Sequence, residues 1–132
     1  MVLVLMIFGF SACVKADDST GNLYGRYVGI FNRTGMDTAQ VSLVFTGNSF
    51  EGSTNKTNYP AICHGKFDMD GNTATFVDSC SWTANFDWSL ALSGEYNINF
   101  MNGMVRIWKT DGIITDEYLL REPGPVNYLY KN

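Results

Sequence analysis

The stretch that decides the fold runs from residue 96 to residue 108 and reads YNINFMNGMVRIW. At its centre, Asn102-Gly103 is typical of a two-residue hairpin turn in which both positions take a positive φ. Pairing across this turn places Phe100 opposite Val105, and apolar residues continue to face apolar ones away from the turn. The stretch therefore predicts an antiparallel β-hairpin with one buried face.

Similar alternations of apolar and polar residues, separated by Gly, Asn and Asp turns, continue from residue 23 to residue 121. Helical periodicity never persists for three turns, so the pattern predicts an all-β, single-domain, antiparallel up-and-down meander of eight to ten strands. Closing the sheet into a barrel, or nearly so, would remove its exposed edges; an open or split sheet is the alternative. Nine strands are predicted, at about 23–33, 38–46, 49–54, 61–68, 74–81, 86–92, 95–101, 104–109 and 113–121.

Other turns also predict strand registers. In each, the predicted register places apolar residues opposite apolar ones and opposite charges across from each other. The predicted pairs are Phe45 with Phe50 across Gly47-Asn48, Arg106 with Glu117 across Asp111-Gly112, and Trp88 with Phe100 across a three-residue loop at 93–95.

Two of the three cysteines are predicted to pair. A four-residue loop from Asp70 to Thr73 places Cys63 opposite Cys80, and such a pair is expected to oxidise in an exported protein. The disulfide would contribute about 3 kcal/mol to stability in the chain-entropy model. Two unpaired core thiols are the alternative.

The N-terminus predicts export. Residues 1–12 are uncharged and almost wholly apolar, and Lys15 follows too soon for a bilayer-spanning helix. Phe10-Ser11-Ala12-Cys13 resembles the bacterial lipoprotein signal, which implies a cleaved signal peptide (1–12) and lipidation of Cys13. The protein would then be anchored in the bacterial periplasm or outer membrane. An ordinary secretory signal and a buried N-terminal strand are the alternatives.

Under this interpretation residues 13–22 form the lipidated N-terminus and tether, 23–121 the barrel domain, and 122–132 a C-terminal tail or strap. The net charge is −4 with only nine Lys and Arg residues, which argues against a nucleic-acid partner. We expect no cofactor.

Catalysis and metal binding are not predicted. His64 is the single histidine, and it alternates with Cys63 and so points away from the predicted core. No nucleophile elbow, phosphate loop or dinucleotide fingerprint occurs. His64 beside Asp68 and Asp70 lacks a ligand set, and residues 68–72 lack the spacing of an EF-hand, so a hairpin turn explains them better.

Two charged residues are predicted to point inward. Asp116 shares a face with Val105 and Tyr118, and Arg26 joins that inner face if Thr34-Gly35 is a two-residue loop. The two side chains could form a structural ion pair, since a buried charge needs a partner. They could instead anchor the head group of a ligand in an apolar cavity.

The candidate ligand-binding residues combine these charges with inward aromatic side chains. Trp82, in the aromatic segment after Cys80, is predicted to lie at a barrel mouth or on a contact surface. For the other aromatic residues, plain core packing is the alternative to ligand binding. The candidate residues are Arg26, Phe45, Trp88, Tyr96, Phe100, Asp116 and Tyr118.

The strand pattern resembles the lipocalin-like proteins, with Gly25-Arg26-Tyr27 in place of their Gly-x-Trp and Arg121 near the end of the last strand. The resemblance implies a carrier of a small apolar molecule. Residues 93–96, Ser-Gly-Glu-Tyr, are similar to a loop of bacterial lysozyme inhibitors, which implies a protein-binding module. A structural surface lipoprotein without a pocket is the third hypothesis.

Overall fold

The computed structural model describes residues 21–83 and 86–123. Its strands follow one another around a closed antiparallel barrel in which the last strand pairs with the first. The predicted all-β up-and-down barrel is therefore confirmed, and the architecture is consistent with a lipocalin-like fold. The strands are β1 (Gly25–Arg33), β2 (Ala39–Thr46), β3 (Ser49–Thr54), β4 (His64–Asp70), β5 (Thr73–Asp78), β6 (Gly94–Met101), β7 (Met104–Asp111) and β8 (Ile114–Arg121).

The predicted signal peptide, the lipidation site Cys13 and residues 124–132 of the predicted tail lie outside the described residues. Among the residues that the structure describes, no helix is long and apolar enough to cross a membrane.

Several predicted registers are confirmed. Asn102 and Gly103 both have positive φ, 45° and 79°, as the hairpin sequence requires. The disulfide between Cys63 and Cys80 is present, with the two Cα atoms 6.2 Å apart. The confirmed pairs are Phe100 with Val105 and Phe45 with Phe50. The β4–β5 register that places the two cysteines opposite each other also pairs Phe67 with Phe76.

The predicted strand at 86–92 is wrong. Trp88–Leu90 instead form a short 3-10 helix, and β5 pairs directly with β6. The Asp87 side chain caps this helix, because its Oδ1 accepts hydrogen bonds from the backbone N (3.0 Å) and the hydroxyl (2.6 Å) of Ser89. Such local hydrogen bonds compete with a strand ladder, and the loop predicted at 93–95 is absent with the strand.

The predicted register between β1 and β2 is wrong by one residue. A two-residue loop at Thr34-Gly35 would place Val28 opposite Val41, but Val28 lies opposite Ser42. Since neighbouring side chains on a strand point to opposite faces, this shift exchanges the two faces of β1. Arg26 is exposed, and Arg33 is buried in its place.

The predicted register between β7 and β8 is shifted by two residues. Arg106 lies opposite Leu119 rather than Glu117, because the turn is centred on Gly112 and Ile113. A shift of two preserves the faces of both strands, so Asp116 points inward as predicted and is 4% exposed. Arg106 and Glu117 still form an ion pair, across the diagonal.

Closure of the barrel depends on a glycine. A Cβ atom on Gly29 of β1 would lie 1.9 Å from the backbone oxygen of Leu119 in β8. Only a residue without a side chain permits so close an approach of the two strands.

Aromatic rings fill the barrel interior. A continuous series of ring contacts, with centroids 4.8–6.2 Å apart, crosses the core. Each such contact adds about 0.5–1.5 kcal/mol beyond the burial of apolar area. The series is Phe45, Phe67, Phe76, Tyr96, Tyr118 and Phe31.

The two ends of the barrel differ. At one end, here called the capped end, lie the connections 34–38, 55–63 and 79–93 and the turn at 112–113. Two of these connections bind each other, since Ala61 N donates to Leu90 O (2.9 Å) and Leu92 N donates to Ala61 O (3.1 Å). The opposite end carries the start of β1, the end of β8 and the remaining turns, and Leu23 is buried there.

Candidate functional site at the capped end

A buried ion pair lies directly under the cap. Nε and Nη2 of Arg33 donate to the two carboxylate oxygens of Asp116 at 2.6 and 2.7 Å. The side chains of Arg33 and Asp116 are only 11% and 6% exposed. These hydrogen bonds and the charge of Asp116 raise the pKa of Arg33, so the guanidinium stays charged.

Arg33 also binds the cap itself. Its Nη1 donates to the hydroxyl of Ser89 and its Nη2 to the backbone oxygen of Ser89, each at 3.0 Å. Asp87 lies 3.6 Å from Nη1. Since a guanidinium has five N–H donors and four are used here, little capacity remains for a ligand. The arrangement favours the structural interpretation of the inward ion pair: it joins β1, β8 and the 3-10 helix.

A cleft of about 240 Å³ opens beside the ion pair, between β7, β8 and the 3-10 helix. Lys109 projects into it and is half-buried; its Nζ donates to Ser93 O at 3.4 Å and lies 4.7 Å from the centre of the Tyr96 ring. Burial lowers the pKa of Lys109. Among the described residues this ammonium makes one hydrogen bond and so has donors left for a partner.

Several large apolar side chains are exposed at the capped end. They lie on three different connections of the capped end and on the start of β8, and we call them the apolar collar. Single exposed apolar residues need no explanation, whereas a contiguous apolar patch marks an interaction site. Their exposed fractions are 91% for Ile113, 58% for Trp88, 52% for Met36 and 44% for Ile114.

At the capped end, cationic and acidic side chains differ in their exposure to solvent. Among its described residues the cations Arg33, Lys56 and Lys109 are buried or half-buried. The exposed charged side chains there are all acidic: Asp37, Asp87 and Asp111. Hydrogen bonds from Ser89 lower the pKa of Asp87, which keeps its carboxylate ionised. The collar is therefore bordered by negative charge.

The predicted site residues divide into three groups. Phe45, Tyr96, Tyr118 and Asp116 lie in the interior, where they contact one another or the residues around them. Phe100 is half-buried near the opposite end.

The third group lies outside the interior. Arg26 is exposed on the outer face of β1, so its predicted inward position is wrong. Trp88, predicted on the inner face, is exposed at the capped end because its segment is not a strand. Trp82 lies in the connection 79–93 at the capped end and is half-buried. Its indole N–H donates to Asp78, and its ring stacks on Phe86 with centroids 4.8 Å apart.

The segment compared with lysozyme inhibitors is not an exposed loop. Tyr96 is 2% exposed and belongs to the core, and Gly94 begins β6. That likeness therefore does not support a protein-binding role.

Arg33, Lys109 and Ile113 were not predicted from the sequence as residues of this site. One pattern in the sequence could have identified Arg33. It lies an even number of residues from Tyr27 and Phe31, so all three side chains point to the same face of β1. No comparable signal marks Ile113, whose exposure depends on which two residues form the β7–β8 turn.

No family model, curated protein or solved structure shows a significant match to this chain. Functional inference therefore rests on the geometry of the barrel and its capped end.

Proposed function

We propose that this chain is an exported, lipid-anchored binding protein that docks a cationic protein against its capped end. The observation that carries the proposal is the apolar collar bordered by exposed carboxylates. Together they form a surface complementary to a partner with an apolar patch and positive charge.

The filled interior favours an external site. A ligand inside the barrel would have to displace rings that contact one another across the core, and small barrels are often filled by their own side chains. The collar needs no such rearrangement. Trp88 is exposed there, and tryptophan is one of the residue types that most often contribute a large share of the binding energy in protein interfaces.

The route of the N-terminus favours a partner in solution over the membrane. The described chain enters at the end opposite the collar, where Leu23 is buried. If Cys13 carries a lipid, the eight residues from 13 to 20 span at most about 28 Å when fully extended. The anchor would hold the opposite end toward the bilayer, and the collar would face away from it.

A cell-envelope lytic enzyme of the lysozyme type fits this chemistry, because such enzymes are cationic.

The test uses the full chain with Cys13→Ser, so that it stays soluble, and measures binding to lysozyme by calorimetry. Loss of a dominant contact costs at least about 2 kcal/mol, which is roughly thirtyfold in affinity. We expect Trp88→Ala to approach this loss, and Asp111→Asn to lose less and to reduce the dependence of affinity on salt.

Met101→Ser is the matched control, since Met101 is exposed at the opposite end. It should leave the affinity unchanged. The proposal fails if the parent chain does not bind lysozyme, or if Met101→Ser weakens binding as much as Trp88→Ala.

A second candidate function is carriage of a small apolar molecule, favoured by a cleft of about 610 Å³ at the opposite end. Half-buried Phe100 and the exposed Met101 and Met104 line it, together with Tyr27. Its volume is in the range of small-molecule sites. Native mass spectrometry of protein from its own host should detect a ligand that Met104→Glu abolishes; a ligand-free parent chain would discard this function.

A further inference from the structure

Three potential metal ligands meet at the base of the β4–β5 hairpin, where its strands join the connections 55–63 and 79–93 of the capped end. The sulfur atoms of Cys63 and Cys80 and a ring nitrogen of His64 all lie within 4.8 Å of one another. The cysteines are half-buried and His64 is exposed, so the group is open to solvent. In the structure the two sulfurs are joined as a disulfide.

Backbone hydrogen bonds, in addition to the disulfide, hold the chain around this group. Cys63 and Cys80 flank the β4–β5 hairpin, just outside its strands. Gly52 N donates to Cys63 O at 2.8 Å, and Ser79 N donates to His64 O at 3.0 Å. These hydrogen bonds would keep the cysteines close to each other and to His64 after the sulfurs separate.

We propose that reduction of this disulfide creates a binding site for Zn²⁺. A dithiol or phosphine reductant supplies two electrons, the S–S bond breaks, and two protons convert the sulfurs to thiols. Zn²⁺ then binds both sulfurs and the neutral imidazole of His64, and the two thiol protons are released to solvent. The oxidised chain cannot bind the ion in this way, because its sulfurs are bonded to each other.

The distances suit this metal. Zn–S bonds of about 2.3 Å and Zn–N bonds of about 2.0 Å in a tetrahedron separate the ligand atoms by roughly 3.4–3.8 Å. The Cα atoms of Cys63 and Cys80 are 6.2 Å apart, and their side chains would rotate to bring the separated sulfurs to that spacing. Thiolate and imidazole ligands together are typical of zinc sites.

Glu51 lies outside the group of three ligands and would complete the coordination after its side chain turns toward them. It lies opposite His64 in the β3–β4 register, where directly opposed side chains on one face are close neighbours. Both residues line a surface cleft of about 370 Å³ that also includes Ser79. The cleft gives Zn²⁺ a path of entry and leaves room for the carboxylate of Glu51 or a water molecule as fourth ligand.

The test uses the full chain with Cys13→Ser, so that Cys63 and Cys80 are its only thiols. The chain is reduced with a phosphine, desalted without oxygen and titrated with Co²⁺, which reports thiolate ligation by charge-transfer absorption. We expect one Co²⁺ to bind per chain and Zn²⁺ to displace it. About two protons should be released at neutral pH, because free thiols are mostly protonated there. The oxidised chain should show no charge-transfer absorption.

Substitutions separate this site from adventitious binding. His64→Gln should weaken Zn²⁺ binding by at least about tenfold, the scale of losses at metal sites, and Glu51→Gln should weaken it less. Asp70→Asn, at the far end of the same hairpin, should have no effect. The proposal is overturned if the reduced chain shows no thiolate–Co²⁺ absorption, or if His64→Gln binds as tightly as the parent.

Circular dichroism covers the case in which reduction unfolds the chain. Recovery of the β spectrum on adding Zn²⁺ would support the site, because binding energy would then be folding energy. A reduced chain that stays unfolded in excess Zn²⁺ would overturn it.

Discussion

Replacement of Asp116 by Asn tests the role of the buried ion pair. Asparagine keeps the shape but removes the charge, and its amide N–H₂ would face the N–H donors of Arg33. Removing one partner of a buried pair costs about 3–5 kcal/mol, because the other charge stays buried. We expect about 3 kcal/mol, since Asp87, 3.6 Å from Arg33 and 58% exposed, can partly compensate.

Thermal and urea denaturation, followed by circular dichroism, measure this loss. At roughly 4 °C per kcal/mol for a domain of this size, the melting temperature should fall by about 12 °C. The matched control is Glu117→Gln, which breaks the half-exposed pair with Arg106 on the outer face. That variant should lose less than about 1 kcal/mol, the usual range for ion pairs near solvent.

A double variant separates the charge from the packing. Arg33→Met with Asp116→Leu removes both charges and should recover most of the stability, as apolar replacement of buried pairs often does. The reasoning is refuted if Asp116→Asn costs no more than Glu117→Gln. It is equally refuted if the double variant is less stable than Asp116→Asn alone.

Three further predictions concern the disulfide, the closure of the barrel and its tyrosines. Cys63→Ser with Cys80→Ser should lower the free energy of unfolding by about 3 kcal/mol in urea titrations, since the disulfide closes a loop with a sequence separation of 17; an unchanged midpoint would contradict this. Gly29→Ala should cost more than about 4 kcal/mol or prevent folding, because its Cβ would overlap a backbone oxygen of β8; a soluble chain with the parent melting temperature would contradict this. Burial raises the pKa of Tyr96 and of Tyr118, so the stability of the folded chain should fall as pH rises above the unfolded tyrosine pKa of about 10. Tyrosinate absorbance should therefore rise together with unfolding. Ionisation of both tyrosines in a chain that is still folded, at a pH near 10, would contradict this.

Local sequence predicted much of the fold because hairpin turns and side-chain alternation act over a few residues. Asn102-Gly103 specified its own register, and the cysteines paired as the β4–β5 register required. Local patterns did not predict the strand pairing across the longer connections. Between β1 and β2 the strands are joined through residues 34–38, and nothing local selects the residue at which pairing begins.

The residues of the candidate site lie where the predicted register and the predicted strand were wrong. Arg26 and Arg33 are both charged residues of β1, and a shift of one residue decides which of them is buried with Asp116. Trp88 would have been a core residue in a strand, but hydrogen bonds between Asp87 and Ser89 turn its segment into the 3-10 helix of the cap.

By itself, the sequence determined an antiparallel barrel with an inward Asp116 and a disulfide, since alternation and short turns encode which face of each strand is buried. Only the tertiary structure decided which arginine meets that carboxylate, that aromatic rings contact one another across the interior, and that Trp88 and Ile113 are exposed at the capped end. These features depend on contacts between segments far apart in the chain: Arg33 and Asp116 are separated by 83 positions. No local pattern records such contacts, because closing the barrel brings the first and last strands together.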